Sequence, residues 1–295
     1  MMMDDVQART PGVLRRIIAF PLTLLIIEFL AIGIGASLIS ALLLDAVPRD
    51  GPVHFLGALL TAVLTILIYL GCRRWIEWRA NDELPAVTLL HELPLGLLIG
   101  AALFTLATGI VAVLGGLRVE RFNGIGAIWA MLALAVTSGV IEEILFRGIL
   151  LRHLEAMLGT WAALLITSVL FGAAHLSNDG ASLFAAFAIA MEAGILLGAA
   201  YLWTRRLWAP IGIHAAWNFT QGWVFSVPVS GSNTTNGLLI TVREGPDWLT
   251  GGAFGLEASV VALVVATGAG LFLLARVVKH GGIRPPMWKA GKINP

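Results

Sequence analysis

Three short motifs carry groups whose types and spacing could do chemistry together. Glu142-Glu143-Ile-Leu-Phe-Arg147 places two carboxylates side by side, with an arginine four residues beyond the second. On a helix Glu143 and Arg147 share a face and can pair, while Glu142 points about 100° away. One carboxylate is then held by the arginine and the other is left for chemistry. Phe171-Gly-Ala-Ala-His175 sets a histidine deep in an apolar run, and His214-Ala-Ala-Trp217-Asn218 sets a histidine and an asparagine on one helix face. A carboxylate, two histidines and a side-chain amide at one place form a site that activates water, with a base for its proton and donors for an oxyanion. Each motif alone has a plainer reading: an ion-paired packing motif, a satisfied core histidine, or polar glue between membrane helices. Their conjunction favours the functional reading.

The elements that position these groups are membrane spans. Of 295 residues 58% are hydrophobic and 13% charged, whereas soluble domains carry about a quarter charged residues. The apolar residues form long runs, of the length needed to cross a hydrocarbon core of ~30 Å. Only helices and closed barrels satisfy the backbone there. Period-2 alternation is missing, so the expected fold is an all-α polytopic membrane protein. Eight spans are expected, at 17–46, 54–72, 94–116, 126–153, 161–177, 181–203, 208–227 and 254–277. Residues 1–16 read as a cytoplasmic N-terminal segment, 17–277 as one membrane domain and 278–295 as a basic cytoplasmic tail. Arg15 and Arg16 precede a run too long for a cleavable signal, so the first span is retained. Pro21 is a candidate kink, Ser177 to Gly180 is a short hairpin link, and 228–252 is the longest loop. Cys72 is the single cysteine, which excludes an intrachain disulfide.

Arginine and lysine placement sets the orientation. With the N-terminus inside, only Arg49, Arg118, Arg121 and Arg243 fall in outer segments, leaving 15 of the 19 basic residues, from Arg9 to Lys292, on the cytoplasmic side. Both termini are then cytoplasmic, and the basic clusters mark topology rather than nucleic-acid binding. Counting ~1.5 Å per residue from the cytoplasmic end of each span puts Glu142 at roughly 16 Å, His175 at roughly 21 Å, His214 at roughly 9 Å and Asn218 at roughly 15 Å. These depths overlap in the inner half of the membrane.

Competing signatures fail. His91-Glu92 begins a zincin motif, but Leu95 stands where the second histidine belongs and Pro94 should break the helix. Ser138-Gly139 is a fragment of an intramembrane serine-protease motif with Val136 in place of its glycine. Glu28, Glu192 and Glu257 also lie in apolar runs, where an ionisable residue is costly and a functional candidate by default. They allow a second class of reading, a transporter or a non-catalytic scaffold, although no inverted repeat is visible. Asn233-Thr234-Thr235 is formally a glycosylation acceptor. His54, His91, His153 and His280 read as solvated, and Trp75, Trp78, Trp203 and Trp208 as interfacial anchors.

Glu-Glu-x-x-x-Arg, Phe-x-x-x-His and His-x-x-x-Asn, in this order on successive spans from Gly139 to Asn218, resemble the motifs of the type II CAAX prenyl endopeptidases. Their bacterial relatives form the CPBP (CAAX protease and bacteriocin-processing, or Abi) intramembrane proteases. The resemblance implies eight spans with both termini cytoplasmic, a catalytic Glu142, supporting Glu143, Arg147 and Phe171, and His175, His214 and Asn218 completing the site. Glu142 is then the general base, its proton affinity raised by burial, with His175 orienting water and His214 and Asn218 as oxyanion donors. Glu142, His175 and His214 are also a familiar zinc set. The metal-free version is preferred, because Asn218 and a second glutamate suit a hydrogen-bonded water site. The expected substrate is a membrane-associated peptide or lipidated protein, prenylated C-termini among them, reached from the cytoplasmic side or laterally from lipid. The expected location is a bacterial cytoplasmic membrane. An immunity protein or scaffold retaining the motifs is the alternative.

Overall fold

A computed structural model describes residues 13–232 and 236–290. Arg9, Lys292 and the Asn233-Thr234-Thr235 acceptor lie outside the described residues. A short helix, Val13–Ile18, leads into eight rods: α1 (Pro21–Leu44), α2 (Pro52–Ile76), α3 (Ala86–Val113), α4 (Ile128–Leu158), α5 (Thr160–Ser177), α6 (Leu183–Thr204), α7 (Trp208–Phe219, continued by Thr220–Val224) and α8 (Val260–Lys279). All but α7 are long and apolar enough to cross a membrane. Their outer faces carry large exposed apolar side chains such as Leu38, Leu67, Leu98 and Phe272, as a lipid solvent requires.

Local chemistry explains where the boundaries moved. Pro21 does not kink a longer first helix: it opens α1, with Phe20 extended before it, the position where a missing N–H costs nothing. Pro94 does not break α3, which begins at Ala86 and runs through it; in membranes neighbouring helices compensate for the lost bond. The last span begins at Val260 rather than 254, because Ser259 caps it by accepting the Ala262 N–H. Leu256 to Ala258 form a separate tight turn.

One element departs from the all-helical expectation. β1 (Leu117–Phe122) pairs antiparallel with β2 (Leu239–Arg243), from Leu117 opposite Arg243 to Phe122 opposite Leu239, with a bulge between Val119 and Arg121. Only Leu117 to Glu120 of β1 and Ile240 to Arg243 of β2 alternate apolar and polar residues, too few to stand out in sequence, and the strands pair across more than a hundred residues. They cap the end of the bundle opposite the one rich in arginine.

The arginine-rich end is an ion-pair network. Arg152 reaches Glu77 at 2.6 Å and Glu28 at 2.9 Å, and Arg73 pairs with Glu77 at 3.1 Å. Tyr69 and Tyr201 both donate to Glu83. His153 is buried with Nε2 3.1 Å from Glu28, not solvated as its place in the sequence suggested. Glu28 therefore joins α1 to α4 through its Oε2. Just beyond α2, burial alone would raise the Glu77 carboxyl, but the Arg152 and Arg73 guanidiniums hold it down at about 2. Its unfolded value is near ~4.3. A depressed carboxylate stabilises the fold above its unfolded pKa, and that contribution is lost as pH falls toward the folded one. The unfolding midpoint of the wild type should exceed that of Glu77→Gln by a constant margin above pH ~5, and the margin should shrink between pH ~4.3 and ~2. A margin independent of pH would show that the pairing contributes nothing.

A close helix crossing sets α3 against α7. A Cβ built on Gly100 would lie 2.2 Å from the carbonyl oxygen of Ile213, and one on Gly96 would lie 2.4 Å from that of Ala209. Small residues four apart let membrane backbones approach in this way. Gly100→Ala should lower the thermal unfolding midpoint in detergent by the equivalent of about 1–3 kcal/mol. Gly109→Ala, on the same helix with nothing within 4 Å, should not lower it.

Candidate active site

Glu142 and Glu143 sit near the middle of α4, where the α-helical turns give way at Ile144–Leu151 to a wider π-helical stretch. Two further wide turns, Ala190–Gly194 in α6 and Thr220–Val224 in α7, flank the same region. Such turns re-aim side chains and recur at functional sites. Gly139, one turn before Glu142, lets α4 approach α7 until a Cβ there would meet that of Ala215 at 3.0 Å. That approach brings His214 within reach of both glutamates.

Glu143 is fully buried, and its Oε1 accepts from Arg147 Nη1 at 2.8 Å and from His214 Nδ1 at 2.9 Å. The i,i+4 pair expected from sequence is present, and it has a further member: the carboxylate fixes the imidazole as well as the guanidinium. The second guanidinium arm donates to the Ala193 carbonyl at 2.8 Å. Phe171 lies under Arg147, 4.6 Å from guanidinium carbon to ring centroid, and edge-on to Phe146. With His214 Nδ1 committed, its Nε2 faces Glu142 across 4.0 Å.

Glu142 is not the buried carboxylate that the sequence suggested. Its side chain is 32% exposed, on the wall of a cavity of about 460 Å³ that Ser138, His175, His214 and Asn218 also line. The burial belongs to Glu143, because α4 turns that residue toward α7 and Glu142 toward the cavity. His175, at the end of α5, is half-buried and donates Nδ1–H to the Phe171 carbonyl at 2.8 Å. Asn218 Nδ2 donates to Ser138 Oγ at 2.9 Å, and Ser138 donates in turn to the Leu134 carbonyl at 2.8 Å. Ser138, set aside as a failed protease motif, thus orients the asparagine; its contact crosses two helices and leaves no mark in local spacing.

The mouth of the cavity is formed by Ser177 at the end of α5, by Asn178 and Asp179 beyond it, and by Val229 to Ser232 in the long loop. These segments lie on the face of the hairpin, opposite the arginine network. The depth count placed the four groups in the half nearer the arginines; the cavity reaches the other face, because His175 ends its helix there.

Among the described residues, the three-donor group whose ligand atoms all fall within 4.8 Å of one another is Glu28, Glu77 and His153, already neutralised by Arg152. The donors of Glu142, His175 and His214 do not form such a group, although Glu142 Oε2 and His214 Nε2 lie 4.0 Å apart.

Residues 124–220 match the family model described as type II CAAX prenyl endopeptidase Rce1-like. No curated protein and no solved structure matches the chain. The matched stretch holds Glu142, Glu143, Arg147, Phe171, His175, His214 and Asn218, the residues gathered around the cavity and its buried ion pair. By that match, the stretch that carries the cavity and its buried ion pair is similar to the Rce1-like type II CAAX prenyl endopeptidases.

Proposed function

We propose that this integral membrane protein is an endopeptidase that hydrolyses a peptide bond with water activated by Glu142. The observation that carries the reading is the 4.0 Å gap between Glu142 Oε2 and His214 Nε2, on a cavity wall, with His214 held from behind by Glu143. The gap is too long for a direct hydrogen bond, and one water bonded to both groups spans it. Glu142 takes a proton as that water attacks the carbonyl carbon of the scissile bond. The oxyanion that forms is held by Asn218, whose amide keeps a second N–H beyond the one given to Ser138, and by Nε2–H of His214 in its imidazolium form, while His175 orients the water. Protonated Glu142 then gives its proton to the leaving amine, which returns the carboxylate. The acid behind the histidine plays an orienting part, as in other hydrolytic sites.

The substrate is a peptide or lipidated protein segment in the membrane, prenylated ends being the class that the family suggests. The positive-inside rule makes the arginine-rich face cytoplasmic, with eight crossings and both termini on that side. The cavity mouth then faces away from the cytoplasm.

Purified protein in liposomes, given mixed hydrophobic and prenylated peptides, should cleave at least one of them and continue to do so in chelator. His214→Ala should lower kcat by about 10²–10³. Activity abolished by chelator and restored by zinc would sink the metal-free mechanism. A folded wild type inert toward every peptide would sink the enzyme.

A further inference from the structure

A second, smaller chamber of about 50 Å³ adjoins the cavity across His175, His214, Asn218 and Ser230, which line both. Most of its wall is apolar, from Leu196, Leu197, Ile213 and Trp217. Two carboxylates break that wall. Glu192 is 3% exposed, and among the described residues neither of its oxygens has a hydrogen-bond partner. Glu257 is 5% exposed and accepts the backbone N–H of Ser230. Among the described residues, no arginine or lysine lines the chamber. The nearby Arg147 is spent on Glu143 and the Ala193 carbonyl.

A buried carboxylate without a partner loses its hydration and gains nothing in return. It stays neutral, or it is matched by a cation from outside. The contrast with Glu143 is informative: that residue, equally buried, has an arginine and a histidine within 2.9 Å. Narrow apolar walls with acidic groups among them complement a side chain that has a methylene stem and a charged head. Lysine fits this better than arginine, whose planar fork needs more width.

We propose that Glu192 and Glu257 form a specificity subsite that takes a lysine side chain of the peptide, close to the bond that is cut. The proposal rests on the endopeptidase reading, and the experiment separates the two. Hydrophobic peptides, identical except that one lysine or norleucine is moved along the sequence, are presented in liposomes to wild type and to Glu192→Gln. Cleavage is read as kcat/KM, and binding is read by fluorescence on the Glu142→Gln background, with Glu192 intact or changed to Gln. At the best position wild type should prefer lysine to norleucine at least tenfold in both readouts, and the ratio should collapse toward one when Glu192 is Gln.

Equal cleavage and equal binding of the two peptides by wild type would overturn the subsite and leave the endopeptidase standing. A lysine preference in binding with no cleavage by wild type would support the subsite and overturn the endopeptidase. A lysine preference that survives Glu192→Gln, in protein whose unfolding midpoint shows it folded, would overturn the assignment to this carboxylate. A midpoint raised by sodium over choline in wild type but not in Glu192→Gln, without any lysine preference, would make the occupant a metal cation and overturn the lysine assignment.

Discussion

Glu142→Gln is expected to abolish peptide cleavage while leaving the protein folded. The side chain stands on the cavity wall, a third exposed, with His214 Nε2 4.0 Å away. Its amide isostere keeps shape and volume but cannot take a proton from water. A positioned general base contributes about 10²–10⁴ in rate, and kcat/KM should fall by that factor. Surface-like positions of this kind change stability by no more than about 0.5 kcal/mol, so the unfolding midpoint in detergent should stay within a degree or two. Measuring both on one preparation separates a chemical role from a structural one. Cleavage retained within tenfold would place the base elsewhere, and a collapsed midpoint would mean that Glu142 supports the fold instead.

Arg147→Met should have the opposite profile, with stability failing first. The guanidinium is buried between Glu143 and the Ala193 carbonyl and lies over the Phe171 ring. Methionine fills much of the space but strands the Glu143 carboxylate, already short of a partner at Oε2. Removing one member of a buried ion pair costs about 3–5 kcal/mol, enough to deplete the folded population of a marginally stable protein. Adding Glu143→Gln should restore part of the midpoint, because the uncompensated charge is then gone; such coupling between touching residues is what a double-mutant cycle reads. The double variant should nevertheless remain impaired in cleavage, since His214 loses the carboxylate that orients its ring. Strictly additive midpoint changes would show that Arg147 and Glu143 do not act as a pair.

The two predictions concern neighbouring carboxylates in one motif, and sequence separated their roles for a sound reason. Helical spacing makes Glu143 and Arg147 partners whatever surrounds them, as the 2.8 Å contact shows. The same local logic made the apolar runs legible as spans, because length and composition alone decide whether a helix suits hydrocarbon. Both quantities are contained in a few consecutive residues. Pro21 and Pro94 were misread for the complementary reason. Whether a proline opens a helix, kinks it or is carried through depends on neighbours that local sequence does not name.

The order of the motifs along the chain determined which groups meet at the cavity and which helices bring them, and hydropathy determined that the fold is a helical membrane bundle. Tertiary structure alone decided the environments. The crossing of α4 and α7 at Gly139 turned Glu143 inward to His214 and left Glu142 on the cavity wall, a third exposed where burial was expected of it. Packing of α1 against α4 brought Glu28 into the network of Arg152 and His153, while α6 and the turn before α8 carried Glu192 and Glu257 to the chamber beside the site. Burial and partnership belong to pairs of surfaces from segments far apart in the chain. A periodicity gives the face on which a residue stands, and only the packed bundle decides what that face meets.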